Sequence, residues 1–405
     1  MSVKEYDIFI IAQSRWDNPY SSVGYCLAKE FSKKNRVFYI DHPFSAKDII
    51  KEFKQGNKVK SRLTSLLFGK KSFRKIEGSQ DNFTLVIPKL TFPINWLNDS
   101  WMYQFLSGLN DKVVLAALKK TIKKYQVKEY IFINSFDPYF FRSFPKAIAP
   151  AISIYQTIDD MTQEKYIARH GVRLEKEALK KADLSLATST ELTRLMSAYT
   201  HKVFCLPNAA DFSLFAKAFN EILQKPKELE GISQPVIGYI GVIGTRINYG
   251  LLKQVALCHT DKLLLMVGPK DSTLCQDFGL ENLPNVVFTG QKKMEELPAY
   301  LQNINCAIIP FEYSVLTKSI YPLKINEYLS AGKPVVATAF SQDIRGFAEV
   351  AYIAETDEEF LQNIDLAIRE DSEEKKQLRI KTAEKNTWEA RVERFWNILA
   401  EQGFK

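Results

Sequence analysis

Short apolar segments alternate with helical segments along almost the whole chain, and this alternation restricts the possible folds more than any other feature. The segments are apolar nearly throughout, as in strands that helices cover on both faces of a parallel sheet. The pattern therefore predicts an α/β fold. The predicted strands cover residues 6–12, 36–41, 83–87, 129–134, 152–157, 184–188, 203–206, 236–241, 262–268, 285–290, 305–311, 333–338 and 350–354.

The strand signals stop over residues 206–235, where Pro207, Pro226 and Pro235 interrupt the chain. A chain of 405 residues is long enough for two domains of roughly 200 residues each. We therefore predict two Rossmann-like domains, residues 1–206 and 207–386, that face each other across a cleft. In such sheets ligands bind beyond the carboxyl ends of the strands, so the loops that follow strands are where chemistry is expected.

Charge is distributed unevenly between the two halves. Residues 1–210 contain 33 Lys and Arg against 20 Asp and Glu, or +13, whereas residues 211–405 contain 22 against 27, or −5; the sum is the net +8. The first half is therefore expected to meet an anionic partner.

Much of the positive charge lies in residues 46–75, which have ten basic and two acidic residues interleaved with leucine and phenylalanine. This composition is typical of a segment that lies on an anionic membrane surface. A solvated basic helix or loop fits it equally well. Nucleic acid is disfavoured, because no DNA- or RNA-binding motif accompanies the charge.

Other features favour a cytoplasmic protein. No run approaches the roughly 18 uncharged apolar residues that a membrane span requires. The apolar run near the N-terminus is short and includes Asp7, so no signal peptide is expected. The five cysteines lie far apart without a C-x-x-C pair, which favours free thiols over disulfides or zinc ligands.

A glycine-rich stretch, "GYIGVIGTRINYG" (238–250), follows the first predicted strand of the second half. Gly241 and Gly244 allow the backbone to approach a ligand, and amides at a helix start can hold phosphate. The spacing is not the dinucleotide fingerprint, so a plain tight turn and a phosphate loop both fit. Arg246 is placed to pair with a diphosphate or with a surface carboxylate.

A second stretch, "PLKINEYLSAGKPVV" (322–336), predicts a short helix that starts at Pro322 and ends at Gly332. Lys324 and Glu327 are three residues apart and therefore neighbours on the helix surface. One interpretation is an ion pair worth a few tenths of a kcal/mol. In the other, Lys324 and the first amides neutralise phosphate, and Glu327 accepts hydrogen bonds from a vicinal diol such as ribose.

This second stretch is similar to the donor-site signature of GT-B glycosyltransferases, particularly family 4 (group 1) and its relatives in bacterial polysaccharide assembly. Other segments resemble the same family in the same order: "ADLSLATSTELTRLM", "VFCLPNAADFSLF", "NVVFTGQKKMEELPAYLQNINCAIIPF" and "NTWEARVERFWNILAEQ". Residues 16–43 look like the opening of the acceptor domain in a teichuronic-acid-type subgroup. The resemblance implies a GT-B fold whose closing helix, residues 387–405, packs back on the N-terminal domain.

The resemblance also implies roles for particular residues. Glu327 would bind the donor ribose, the amides of Leu323 and Lys324 with the Lys324 side chain would hold the diphosphate, and Gln291 would lie near the base. The chain departs from the family pattern eight residues before Glu327, where a second glutamate is usual and this sequence has Ser319. The remaining residues that we assign to the donor site are Arg246, Gly244, Thr245, Ser319 and Tyr321.

The family's usual arginine and lysine after the first strand of this domain fall at Val242 and Asn248. Arg246 and Lys324 are the candidates to replace them. The identity of the sugar therefore stays open.

In the first half, "ISIYQTIDDMTQEK" ends a predicted strand in two carboxylates, Asp159 and Asp160. The resemblance places this loop where relatives carry a His or Asp near the transferred sugar. An ionised Asp there accepts the proton of an acceptor hydroxyl or stabilises an oxocarbenium-like transition state. The alternative is structural, with Asp160 capping the next helix. Three residues after the first strand, Trp16, Asp17 and Tyr20, either contact the acceptor or form a packed loop.

A metal site is not expected. The sequence has no D-x-D motif, and its four histidines lack ligand spacing. His42, beside Pro43, is interpreted as structural. The charge of the leaving group is then neutralised by Lys324, Arg246 and helix-start amides.

Together these features predict a hexosyltransferase-type glycosyltransferase that moves a sugar from a UDP- or GDP-sugar to a saccharide or lipid-linked acceptor in bacterial surface polysaccharide biosynthesis. It is expected in the cytoplasm, peripheral on the inner face of the membrane, with no cofactor and no nucleic-acid partner. Two alternative functions fit the same sequence. One is a GT-B sugar-nucleotide epimerase, which would act without an acceptor. The other is a non-catalytic GT-B protein that would bind nucleotide sugar or scaffold a synthase complex.

Overall fold

The computed structural model describes residues 6–17, 22–54, 63–68, 71–76, 81–163 and 167–404. The chain divides into two units, residues 1–188 with 192–206 and 392–405, and residues 189–191 with 207–391. It thus passes into the second unit at Pro207 and returns to the first after Arg391.

The first unit is built on a sheet that has eight strands among the described residues, in the order β3-β4-β2-β1-β5-β6-β7-β8. All neighbouring strands are parallel except β3 and β4. Its strands are β1 (Asp7–Ala12), β2 (Val37–Ile40), β3 (Phe73–Arg74), β4 (Phe83–Val86), β5 (Tyr130–Ser135), β6 (Ile152–Thr157), β7 (Leu184–Ala187) and β8 (Val203–Cys205).

Helices join these parallel strands, because a parallel pair requires a crossover. They are α1 (Val23–Phe31), α2 (Ala46–Lys54), α3 (Leu63–Phe68), α4 (Trp101–Tyr125), α5 (Ala168–Lys181) and α6 (Thr190–Met196). The core is aromatic: the ring of Phe9 lies 4.8 Å from those of Phe38 and Tyr130. The last helix of the chain contributes Phe395, whose ring lies 4.9 Å from Phe31 in α1.

The second unit is built on a sheet of six described strands, all parallel, in the order β11-β10-β9-β12-β13-β14. The order reverses beside β9, where β10 lies on one side and β12 on the other. In open α/β sheets a ligand binds at such a reversal, beyond the carboxyl ends of the strands. The strands are β9 (Val236–Ile240), β10 (Leu263–Val267), β11 (Val286–Gly290), β12 (Cys306–Ile309), β13 (Val335–Thr338) and β14 (Tyr352–Ala354).

Helices connect these strands. The four strands β9, β10, β12 and β13 are buried throughout, whereas β11 and most of β14 are partly exposed. The helices are α7 (Phe212–Phe215), α8 (Lys217–Asn220), α9 (Tyr249–Cys258), α10 (Ser272–Asp277), α11 (Leu297–Gln302), α12 (Val315–Lys318), α13 (Leu323–Ser330), α14 (Gln342–Arg345), α15 (Asp357–Arg369) and α16 (Glu373–Glu384). The next helix, α17 (Trp388–Glu401), lies mostly in the first unit.

The α/β prediction is confirmed, and each predicted strand coincides with a strand of one of the two parallel sheets. Among the strands of the described residues, the two-residue β3 was not predicted, because its "FR" has no strand pattern of its own. Over the described ranges, no helix is both long and apolar enough to cross a membrane.

Candidate functional site

The loop after β9 makes an unusually close backbone contact with the loop after β10. The Gly241 amide donates to the Val267 carbonyl (2.8 Å), and Gly268 has a φ of +142°. A Cβ at Gly268 would lie 1.9 Å from the Gly241 carbonyl oxygen. Only glycine fits there, so the two strand ends are held together by backbone alone.

Gly241 also makes room for a side chain from another element. A Cβ at this position would lie 3.0 Å from Cε of Lys324 and 2.8 Å from the hydroxyl of Tyr239. The Lys324 side chain therefore crosses directly over the end of β9. Gly241 and Lys324 belong to two separate sequence motifs, and the fold brings both motifs to one site at the end of β9.

The loop after β9 is also tied to the loop after β12. The Asn248 amide donates to the Pro310 carbonyl (2.8 Å), and the Glu312 amide donates to the Arg246 carbonyl (2.9 Å). Asn248 caps α9 by accepting from the Leu251 amide (2.8 Å). These bonds fix a turn of Gly244, Thr245 and Arg246 on which the Thr245 side chain is exposed and that of Arg246 is half-buried.

Helix α13 begins at Leu323, and no side chain caps its N-terminus at Pro322. Ile325, Tyr328 and Leu329 are fully buried and hold the helix against the sheet. The Tyr328 hydroxyl accepts from the Ile240 amide (2.8 Å) and donates to the Ile240 carbonyl (3.3 Å). The helix is thereby anchored to the last residue of β9 through its C-terminal half, and its uncapped N-terminus is the end that favours an anion.

Lys324 and Glu327 form the ion pair that their spacing predicts. Nζ of Lys324 lies 2.9 Å from a carboxylate oxygen of Glu327, and the two side chains are 22% and 4% exposed. One carboxylate oxygen thus holds Lys324, and a carboxylate has further acceptor sites for a diol. The pair is compatible with both interpretations that the sequence left open.

Tyr239 shows that the charged groups share one environment. Burial raises the pKa of its hydroxyl; the guanidinium of Arg246 acts to lower that pKa, and the carboxylate of Glu327 acts to raise it. Arg246 and Glu327 therefore lie within electrostatic reach of the same buried group. Two cations, one carboxylate and a helix N-terminus converge at the carboxyl end of β9.

Two residues assigned to the donor site are internal. Ser319 is buried; its hydroxyl donates to the Leu316 carbonyl (2.8 Å), and its own carbonyl accepts from the Ser189 hydroxyl (2.6 Å). Tyr321 is buried, and its hydroxyl accepts from Nδ2 of the Asn326 side chain (3.2 Å). Both side chains are thus engaged in positioning the segment that leads into α13.

Gln291 directly follows β11 and is exposed. Gly290, before it, bridges to Gly268. The end of β11 is therefore joined to the close contact of Gly268 with Gly241, and the predicted base-binding residue lies at the same edge of the sheet as the cations.

In the first unit, Asp159 and Asp160 follow β6 as predicted. The carboxylate of Asp160 accepts from the amide (3.0 Å) and the hydroxyl (2.7 Å) of Thr162, which is the capping arrangement of the structural alternative. Asp159 is half-buried in the same loop. Its assignment as proton acceptor stays a prediction.

Sequence reasoning treated His42 as structural and passed over Asp137, yet the two form a pair. Asp137 is fully buried, and one of its carboxylate oxygens lies 2.7 Å from Nδ1 of His42. A histidine held in this way can present Nε2 as a proton acceptor. The sequence places "DHP" directly after β2 and "FDP" directly after β5, so both residues follow predicted strands. Both strands pair with β1, and their carboxyl ends therefore meet.

Trp16 lies beside this pair, because its amide donates to the carboxylate of Asp41 (3.2 Å). Asp17 follows it and is half-buried, and Tyr20 lies outside the described residues. The loop after β1 is therefore bonded to Asp41, the residue that precedes His42 in the loop after β2. Whether either contacts an acceptor stays a prediction.

Among the described residues, no three His, Cys, Asp or Glu side chains gather in a group that could bind a metal ion. No disulfide joins the five cysteines, all of which are among the described residues.

Residues 234–369, which contain the site at the end of β9, match the family Glycosyl transferases group 1. A Bacillus subtilis (strain 168) protein named as a teichuronic acid biosynthesis glycosyltransferase, TuaH, is 34% identical over 149 residues, which are 36% of this chain and 37% of that protein. The chain thus spans just over a third of the length of this curated relative. The family match lies within the second unit and covers about a third of the chain.

Solved structures resemble the chain over nearly its whole length. Sucrose-phosphate synthase from Thermosynechococcus elongatus is 15% identical, with a TM-score of 0.64 over 98% of this chain and 99% of that chain. HepE from Anabaena, in complex with UDP and glucose, is 14% identical, with a TM-score of 0.57 over 96% and 99%. These likenesses show the fold, which is GT-B.

Proposed function

We propose that the protein is a metal-independent glycosyltransferase of the hexosyltransferase type, which moves a sugar from a nucleotide diphosphate-sugar to a saccharide or lipid-linked acceptor in bacterial surface polysaccharide biosynthesis. The observation that carries the proposal is the convergence of Lys324, Glu327 and Arg246 at the start of α13, over Gly241, within the group 1 domain. The likeness to HepE with UDP and glucose and to a protein named for teichuronic acid biosynthesis supports the donor and the setting.

The donor is assigned to the carboxyl end of β9. Lys324, Arg246 and the first amides of α13 hold the diphosphate, since a helix N-terminus and two cations attract its charge. Glu327 accepts the ribose hydroxyls through the acceptor sites that Lys324 leaves available. Gln291 lies near the base, and the turn at Gly244 and Thr245 lets the phosphates approach the backbone.

In the reaction, the acceptor oxygen bonds to the anomeric carbon while the bond from that carbon to the diphosphate breaks. The electron pair stays on the diphosphate, where preorganised cations stabilise it without a metal. The acceptor proton is assigned to Asp159 on the first unit, with Asp160 capping the loop that holds it.

The first unit is assigned to the acceptor side and to an anionic membrane surface on the cytoplasmic face, through residues 46–75. Helices α2 and α3 belong to this segment, and Ile50 and Phe68 are exposed on them. The excess of 13 positive charges in residues 1–210 supports this assignment, because it attracts an anionic surface or a lipid pyrophosphate.

A thermal-shift panel of UDP-, GDP-, ADP- and CMP-sugars, in buffer with EDTA, tests the donor assignment. We expect one base to raise the melting temperature, because a ligand that binds only the folded state stabilises it by about 2.7 kcal/mol at a hundred times its Kd. We expect the same shift when magnesium replaces EDTA. No shift with any nucleotide would contradict a donor site, and a shift only with magnesium would contradict metal independence.

Acceptor dependence separates the rival functions. An epimerase would convert the stabilising nucleotide sugar without an acceptor, and a scaffold would bind it without turnover. Release of the nucleoside diphosphate that rises when a saccharide or lipid-linked acceptor is added is the result expected of a transferase.

A further inference from the structure

Large apolar side chains are exposed on one part of the first unit. Trp101 at the start of α4 is 81% exposed, Trp96 67%, Phe68 69% and Phe105 60%. Single exposed apolar residues are common, but a group of this size marks a binding surface. The apolar patch comprises Leu67, Phe68, Phe92, Trp96, Trp101, Met102 and Phe105.

The members of the apolar patch come from segments that are bonded to one another. The Leu90 amide donates to the Leu66 carbonyl at the end of α3 (3.3 Å). Phe92 exchanges hydrogen bonds with the Asn110 side chain of α4, at 2.7 and 3.0 Å. Ile94 and Leu97 pack in one buried cluster with Tyr103 of α4. These hydrogen bonds and buried side chains therefore hold together the backbone segments that carry the exposed side chains.

The exposed side of α4 continues the patch as a row of lysines. Residues 101, 105, 108, 112, 116, 119 and 123 lie on one stripe, because their spacing alternates between three and four. All are exposed, and the stripe reads Trp, Phe, Gly, Lys, Ala, Lys and Lys without an acidic residue. The acidic residue of α4, Asp111, lies off this stripe and pairs with Arg142 at 3.6 Å.

We propose that the apolar patch and the lysine stripe of α4 dock the protein on a bilayer with anionic headgroups. Tryptophan and phenylalanine next to lysines are the residues that lie at the boundary of headgroups and acyl chains. The lysines face the anionic headgroups, which complements the charge of +13 in residues 1–210. This inference rests on the proposed function, in which the acceptor side of the enzyme lies at a membrane. It extends the membrane contact from residues 46–75 to a surface centred on α4.

Sedimentation with vesicles tests the inference. We expect the full-length protein to bind phosphatidylcholine vesicles that contain phosphatidylglycerol, and to bind pure phosphatidylcholine more weakly. Replacing Trp101 and Phe105 by serine is expected to weaken binding roughly tenfold or more. Replacing Lys112, Lys119 and Lys123 by serine is expected to weaken binding on the order of fivefold per lysine at low salt, and to reduce the salt dependence of binding.

Ile222→Ser is the matched control, because Ile222 is fully exposed but lies in the second unit. It is expected to sediment like the wild type. Calorimetry without vesicles is expected to give the wild-type Kd for the stabilising nucleotide with every variant. This measurement distinguishes a loss of donor binding from a loss of vesicle binding.

Wild-type protein that stays in the supernatant with anionic vesicles at low salt would overturn the inference. So would Trp101→Ser/Phe105→Ser protein that sediments like the wild type. A dimer that this double variant converts to a monomer, with unchanged vesicle binding, would assign the patch to a second copy of the chain instead.

Discussion

Replacing Glu327 by alanine is expected to weaken binding of the nucleoside diphosphate and to abolish turnover. The loss of hydrogen bonds to a charged acceptor costs about 1.5–3 kcal/mol each, which corresponds to roughly a ten- to hundredfold increase in Kd. Because Glu327 is assigned to the ribose, the corresponding nucleoside without phosphate should be weakened by a similar factor. Titration calorimetry, with competition for the weaker ligand, measures both.

Lys324→Ala provides the contrast. Lys324 is assigned to the diphosphate, so this variant should weaken the nucleoside diphosphate but not the nucleoside. If instead the two residues only form an ion pair, then removing either one leaves the other partly buried and unpaired, and both variants should lose stability without a difference between the ligands.

Asp365→Ala is the control for stability. Asp365 pairs with Lys262 at 2.9 Å, which is also the distance between Glu327 and Lys324. Lys262 directly precedes β10, so it lies at the amino ends of the strands, whereas the donor site lies at their carboxyl ends. This variant should change the melting temperature and leave the Kd unchanged. Equal donor affinity of wild-type and Glu327→Ala protein would remove Glu327 from the site.

The fold was predictable because the strands carry their own signal. Near-continuous apolar runs such as those of β1 and β9 are buried on both faces, and burial is what selects their composition. The break between the two series of strands was also predictable from local sequence, because it contains the prolines at 207, 226 and 235. β3 was missed because two residues are too few to show a period.

The donor site was predictable only in part, since its residues meet through strand order. Local spacing gave the pairing of Lys324 with Glu327, and the glycine spacing suggested a phosphate loop. That Lys324 crosses over Gly241, and that Gly268 contacts the same backbone, depends on β9 lying between β10 and β12. Ser319 and Tyr321 illustrate the converse: both adjoin the signature in sequence, yet they are buried beneath it.

The same limit applies to His42 and Asp137, which are 95 residues apart. Each follows a strand, and nothing local to either residue indicates the other. Only the pairing of β2 and β5 with β1 brings them within 2.7 Å. A buried carboxylate beside a histidine is costly unless it is hydrogen-bonded, which is why the fold provides the contact.

Replacing Asp159 by alanine is expected to leave donor binding unchanged and to reduce transfer roughly a hundredfold or more, the scale for losing a general base. Asp159 is assigned to the acceptor proton, so kcat should fall while the Kd of the donor stays at the wild-type value. Single-turnover assays with a saturating donor measure the rate, and calorimetry measures the Kd.

Asp160→Ala separates catalysis from capping in the same loop. Asp160 holds the Thr162 amide and hydroxyl, so its loss should lower the free energy of unfolding by the amount typical of a lost cap, about 1 kcal/mol. It should slow transfer much less than Asp159→Ala does. His42→Gln completes the set, because glutamine keeps the polarity of the side chain but cannot take up the proton. Near-normal transfer by Asp159→Ala, together with a hundredfold loss in His42→Gln, would move the proton to the pair of His42 and Asp137 and leave Asp159 a structural part of its loop.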